Sequence, residues 1–143
     1  MSDLISTSKK SIINIFTERG GIFIIPDYQR PYSWGKDERE TLWEDLYNFV
    51  SDENFDDDND EYFLGTIVTF KNNVSNQNEV IDGQQRLITL LLLLRAFYEA
   101  FNDKNNNVCN KIAECIWKMK SDYTPDKNHF KIKSEVATDE DTE

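Results

Sequence analysis

The stretch Glu79-Val80-Ile81-Asp82-Gly83-Gln84-Gln85-Arg86-Leu87-Ile88-Thr89-Leu90-Leu91 changes its periodicity in the middle. Glu79 to Ile81 reads as a short extended run, and Asp82-Gly83 punctuates it. From Gln84 the pattern becomes helical: Leu87, Leu90, Leu91, Leu94, Phe97, Tyr98 and Phe101 recur at i, i+3, i+4 and i+7, while Ile88, Leu92 and Leu93 widen the apolar face. The spacing predicts a long, central and nearly surrounded helix over 84–101.

Upstream, Tyr62 to Phe70 is rich in aromatic and β-branched residues and predicts a strand. The Asn/Ser-rich loop from Lys71 to Asn78 then returns into Glu79–Ile81, which makes a hairpin. Asp52 to Glu61 is densely acidic. An EF-hand loop opened at Asp52 needs Gly at its sixth place and Glu at its twelfth, where Asp57 and Phe63 stand, so a solvated loop is the reading. Before it, Asp37 and Glu40 fit a capping box, opening a helix whose Leu42, Trp43, Leu46, Phe49 and Val50 face the core. A brief strand over 21–25 and a short helix over 8–18, with Ile12, Ile13 and Phe16 on one side, complete the N-terminal part. Downstream, Ile112, Cys115, Ile116 and Met119 define an amphipathic helix over 108–120, and Phe130-Lys131-Ile132-Lys133 starts a strand. Helices and strands mixed in this order imply an α+β fold: a small mixed or antiparallel sheet packed with helices.

With 143 residues, 38% of them hydrophobic, the chain suffices for one domain over 1–143 and not for two. The charged ending Thr138-Asp139-Glu140-Asp141-Thr142-Glu143 follows an incipient strand, so a domain truncated near its C-terminal end is expected. The polar N-terminus has no apolar signal core, and the longest apolar run is far short of the roughly 18 residues of a membrane span. Cys109 and Cys115, six apart, suit neither a zinc knuckle nor a disulfide framework. A cytoplasmic, reducing home and no membrane partner are the expectation. A formal charge of −11 argues against a grip on duplex DNA by this chain, because that affinity comes from neutralising phosphates.

The turn at Asp82-Gly83 is where chemistry is expected. A helix N-terminus has unpartnered N–H groups and partial positive charge, and so accepts phosphate. Gly83 allows close approach and positive φ. Arg86, one turn in, adds a planar fork of donors, and Gln84 and Gln85 add amides. Asp82 is the candidate ligand for magnesium. The plainer reading is that Asp82 caps the helix and Arg86 is a surface cation. In Pro26-Asp27-Tyr28-Gln29-Arg30-Pro31-Tyr32-Ser33-Trp34, an extended backbone puts Tyr28 and Arg30 on one face, which makes Arg30 and Arg86 the two cations of one anion site. Tyr32 and Trp34 read as packing residues.

Three segments, Ile25–Trp34, Tyr62–Val68 and Ile81–Leu87, resemble in order and spacing the successive signatures of the N-terminal domain family of GmrSD-type modification-dependent restriction enzymes. The resemblance spans about residues 12–101; Ile88 departs from it, where the family usually has Thr. Members of that family resemble the ParB and sulfiredoxin superfamily. The resemblance implies a domain that binds, and often hydrolyses, a nucleoside triphosphate with magnesium to control DNA cleavage in phage defence. Carried over by position, Asp82, Gly83, Gln84, Gln85 and Arg86 become the nucleotide motif, with Asp82 and Arg86 its catalytic candidates, and Gln29 and Arg30, beside Tyr28, its partners. Sulfiredoxin-type redox chemistry is set aside, because it needs a cysteine in the turn where Gln84 and Gln85 stand. A ParB-like nuclease is disfavoured by the acidic charge. The resemblance also implies a C-terminal His-based nuclease domain as companion, with DNA reached only through the full-length protein. His129, the single histidine, reads as a surface residue. A non-catalytic nucleotide sensor or protein-interaction module is the competing function.

Overall fold

The computed structural model describes residues 6–18, 22–74, 77–101 and 107–136. Along the chain these form α1 (Ile12–Thr17), β1 (Phe23–Ile25), α2 (Lys36–Ser51), β2 (Val68–Asn72), β3 (Gln77–Asp82), α3 (Gln84–Phe101), α4 (Asn107–Ile116), β4 (Trp117–Met119), β5 (Pro125–Phe130) and β6 (Ile132–Ser134). The fold is α+β. Four strands make a mixed sheet in the order β2-β3-β1-β6, and β4 and β5 make a separate ribbon. The expected hairpin is present, with β2 antiparallel to β3; β1 is parallel to both β3 and β6. The carboxyl ends of three parallel strands therefore share one edge of the sheet, and α3 starts from that edge.

Why the sheet and helices adhere is visible in the buried set. Phe16 of α1, Phe23 and Ile25 of β1, Val80 of β3, Leu87 of α3 and Cys115 of α4 form one cluster, with Ile67, Leu91, Leu94 and Ile132 packed at its margin. Burying side chains of this size stabilises a fold by roughly 1.5–3 kcal/mol each. A second cluster joins α3 to α4 through Ala113, Ile116 and Trp117 against Leu91, Leu94 and Tyr98.

Five expectations need correction. The strand expected over 62–70 begins only at Val68; Tyr62 to Ile67 is an irregular strap, because Gly65 takes φ +126°, outside any strand geometry. Helix α2 starts at Lys36 after the N-cap Gly35, whose N–H donates to Glu38 Oε2 at 3.0 Å; the carboxylate that serves the cap is Glu38, not Glu40. No α2 residue is buried: Leu42, Leu46 and Phe49 are half-buried, Trp43 and Val50 are exposed, and Trp43 meets the Phe97 ring of α3. Helix α3 has the expected bounds but is not surrounded, since Leu92 and Phe101 lie open and its buried residues end at Leu90. Helix α4 stops at Ile116, where the β-favouring and wholly buried Trp117 passes into the ribbon with β5. There Tyr98 meets the indole edge-on, and Arg95 and Lys127 lie over the ring.

Among the described residues no helix is long and apolar enough to cross a membrane. The acidic segment is exposed. Asp56 accepts from the Asp58 backbone N–H and the Asn59 side-chain amide, which holds its carboxyl below the usual range as part of a turn. The closing residues 137–143 lie outside the described set.

Candidate functional site

A cleft of about 240 Å³ opens at the N-terminus of α3, lined by Arg30, Trp34, Thr66, Asp82, Gly83, Gln84, Gln85 and Arg86. Three segments far apart in sequence build it. The first is the turn itself. Gly83 has φ +92° and its carbonyl accepts the first helical bond, from Leu87 N–H at 3.0 Å, so glycine occupies the cap position. An added Cβ there would lie 2.9 Å from the Thr66 carbonyl oxygen and 3.2 Å from Ile67 Cγ1, so the turn needs glycine for its conformation and for its neighbour. Asp82 ends β3 and makes no side-chain hydrogen bond to described residues. The plainer reading of Asp82 as the helix cap is thereby removed.

The second segment follows β1. It turns at Asp27–Gln29, with Gln29 N–H donating to the Pro26 carbonyl at 3.1 Å, instead of running extended as expected. Gln29 consequently points its amide at β3, donating to the carbonyls of Val80 (3.2 Å) and Ile81 (3.0 Å). Tyr28 is exposed and does not line the cleft; Arg30 does. Tyr32 Oη lies 2.9 Å from Thr89 Oγ1, a packing role, while half-buried Trp34 forms part of the cleft wall. Gln85 is buried, and its amide is committed to this segment's backbone. Gln84, also buried, keeps its amide free of described partners and faces the cleft.

The third segment is the strap. Thr66 lines the cleft, and Gly65 lies against the Arg86 guanidinium. Tyr62 fastens the strap to α2, its Oη donating to Asp45 Oδ2 at 3.4 Å and its ring centroid 5.5 Å from that of Phe49. Partial burial, then the Asp45 charge and hydrogen bond, push the Tyr62 hydroxyl up, while the Arg86 charge pulls it down. Thr66, Trp34 and Gly65 were missed from sequence. The first and last stood inside a run read as a strand; the signal was the glycine in that run.

The lining brings two guanidinium groups to a helix N-terminus. Among the described residues neither Arg30 nor Arg86 has an ion-pair partner, and no acceptor meets the backbone N–H groups of Gln84, Gln85 or Arg86. Asp82 is the single carboxylate of the lining among the described residues. Donors of this kind at a helix end are those from which phosphate oxygens accept, and a carboxylate such as Asp82 is the kind of ligand a hard cation takes. His129 is exposed on β5, 2.6 Å from Asp126 Oδ2, and contributes nothing here.

The cleft thus sits at the carboxyl ends of adjacent parallel strands and at a helix N-terminus of an α+β domain, the place where open sheets commonly take ligands. The chain matches, over residues 6–143, the family model described as the GmrSD restriction endonuclease, N-terminal domain, and it belongs to that family. No curated protein and no solved structure matches the chain.

Proposed function

We propose that this domain binds a nucleoside triphosphate at the N-terminus of α3 and hydrolyses it with magnesium, as the regulatory part of a DNA-targeting restriction protein. The observation that carries the reading is the pair of guanidinia, Arg30 and Arg86, without ion-pair partners among the described residues, lining one cleft with first-turn N–H groups that meet no described acceptor. Guanidinium forks and helix-end N–H groups are the donors that phosphate oxygens take. Asp82 would hold magnesium, which would supply charge neutralisation for phosphoryl transfer. Arg86 and Arg30 orient the phosphates, Gln84 offers a further amide, and Gln85, Gln29 and Gly83 hold the frame in which they act. DNA and a companion nuclease domain belong, in this reading, to the full-length restriction protein.

One observation favours a second reading, in which nucleotide is sensed without turnover. Among the described residues Asp82 is the only carboxylate in the cleft, with no histidine or second acid beside it to serve as a general base. Incubation of pure protein with each nucleoside triphosphate and Mg²⁺, with calorimetry for binding and an assay for released phosphate, separates the two. Binding with turnover supports the first, binding without it the second, and no binding of any triphosphate sinks both.

A further inference from the structure

Gly65 and Gly83 face one another's segments across the site. A Cβ on Gly83 would run into the backbone of Thr66 and Ile67; a Cβ on Gly65 would overlap Arg86 Nη1 and lie 2.5 Å from Cζ and 2.9 Å from Nε. Each glycine thus makes room for what the other's segment contributes. The strap is held at both ends, by Tyr62 on Asp45 and Phe49 and by Ile67 in the core margin, so it cannot swing away at low cost. The Arg86 guanidinium is consequently confined between the strap and the cleft, without an ion pair of its own to orient it.

We infer that Gly65 is a positioning residue: its bare Cα forms the wall that aims the Arg86 guanidinium into the cleft. This rests on the nucleotide reading for its effect on binding, but not for its effect on Arg86. A side chain at 65 displaces the guanidinium along the strap and away from the phosphate position. Guanidinium–phosphate bonds are directional, so a fork turned aside loses its paired geometry even though the charge remains nearby.

The test uses the full chain, ¹⁵N-labelled, as wild type, Gly65→Ala, Arg86→Ala and the double variant. The Arg86 Nε–H signal is assigned by its loss in Arg86→Lys. In Gly65→Ala that signal moves, whereas the signal of Arg95, paired with Glu99 at 2.6 Å, stays. Binding of ATP, GTP, CTP and UTP, each measured by calorimetry, weakens about tenfold in Gly65→Ala, the scale of one charged hydrogen bond. The same substitution adds nothing in the Arg86→Ala background. An unmoved Arg86 signal, or an equal loss of binding with and without Arg86, overturns the inference. Should Gly65→Ala not fold, folding of the double variant supports the steric account; failure of both assigns the glycine to its φ +126° strain and overturns it. If wild type binds no triphosphate, the nucleotide reading falls and the Arg86 signal decides this inference.

Discussion

Gln85 holds Ser33 through its side-chain carbonyl: the Ser33 N–H donates to Oε1 at 2.7 Å, and the neighbouring Trp34 N–H reaches the same atom at 3.3 Å. The other end of the amide donates to the Pro31 carbonyl at 3.1 Å. One buried side chain on α3 therefore fixes a segment some fifty residues earlier in sequence, and with it the wall of the cleft.

Gln85→Ala is expected to cost stability, unlike a change at a purely ligand-facing position. It strands two backbone N–H groups and a carbonyl in a partly buried place, at about 1–3 kcal/mol for a group left unpaired. Urea unfolding measures it. Gln84→Ala, whose amide has no described protein partner, changes stability little and lowers triphosphate affinity instead. Equal destabilisation by both would show that this division between frame and ligand contact is wrong.

Arg86→Ala should leave the fold intact, since its guanidinium has no ion pair or hydrogen bond among described residues. Loss of one or more charged hydrogen bonds, roughly 1.5–3 kcal/mol, lowers triphosphate affinity about 10- to 150-fold. Calorimetry beside circular dichroism checks both halves. Unchanged affinity removes Arg86 from the phosphate site.

Parts of this site were legible in the residues and parts were not. The hairpin and α3 were, because Gly83 breaks a period-2 run where a period-3.6 run begins. That Arg30 and Arg86 line one cleft was anticipated too, although the extended backbone from which it was argued is a turn at 27–29. The strap was not: aromatic and β-branched content favoured a strand, and only the fold shows that Gly65 leaves strand geometry and lies against the Arg86 guanidinium. Nor was the commitment of Gln85 and Gln29 to backbone, since an amide's partners depend on tertiary placement. The apolar face of α2 predicted a packed helix, yet periodicity does not say how much partner surface exists, and α3 offers it little beyond Phe97.

Asp82→Asn is expected to reduce magnesium-dependent phosphate release more than metal-free triphosphate binding, because an amide is a poor ligand for a hard cation. Stability should change by no more than about 0.5 kcal/mol, as Asp82 caps nothing and is exposed. Parallel turnover and metal-free titrations make the comparison. An equal loss in both would assign Asp82 to positioning the turn.

Cys115 is 1% exposed, and burial, followed by the Glu114 charge, pushes its thiol above the ordinary 9.0. Its folded pKa is raised, so the folded state retains the proton where the unfolded state has lost it. Its contribution to stability is complete below pH 9.0 and declines as pH rises towards the folded value. Wild type should therefore exceed Cys115→Ala by a constant margin up to that pH, and by less above it. Lys131, whose ammonium donates to the Phe16 carbonyl at 2.9 Å and is pushed down by burial, contributes with the opposite sign; the Cys115 charge raises it in the wild type alone and the Lys131 charge in turn lowers the thiol, so the comparison reads the two groups together. Denaturation midpoints across the alkaline range read the difference; a margin that grows with pH contradicts the burial account.

The domain should not cut DNA, whatever nucleotide is present. Phosphodiester cleavage needs metal ligands or a general base gathered at a bound backbone. Among the described residues the cleft has one carboxylate, and its two arginines are committed to the triphosphate under the proposed function. His129 is on an exposed strand beside Asp126. The acidic group Asp56, Asp57 and Asp58 is exposed, and Asp56 is engaged in its own turn. A net charge of −11 repels the duplex as well. Supercoiled plasmid with Mg²⁺ or Mn²⁺, with and without each triphosphate, should remain supercoiled. Nicking that survives repurification and disappears in Asp82→Asn or Arg86→Ala would place a nuclease centre in this cleft, and the assignment of cutting to another domain would fall with it.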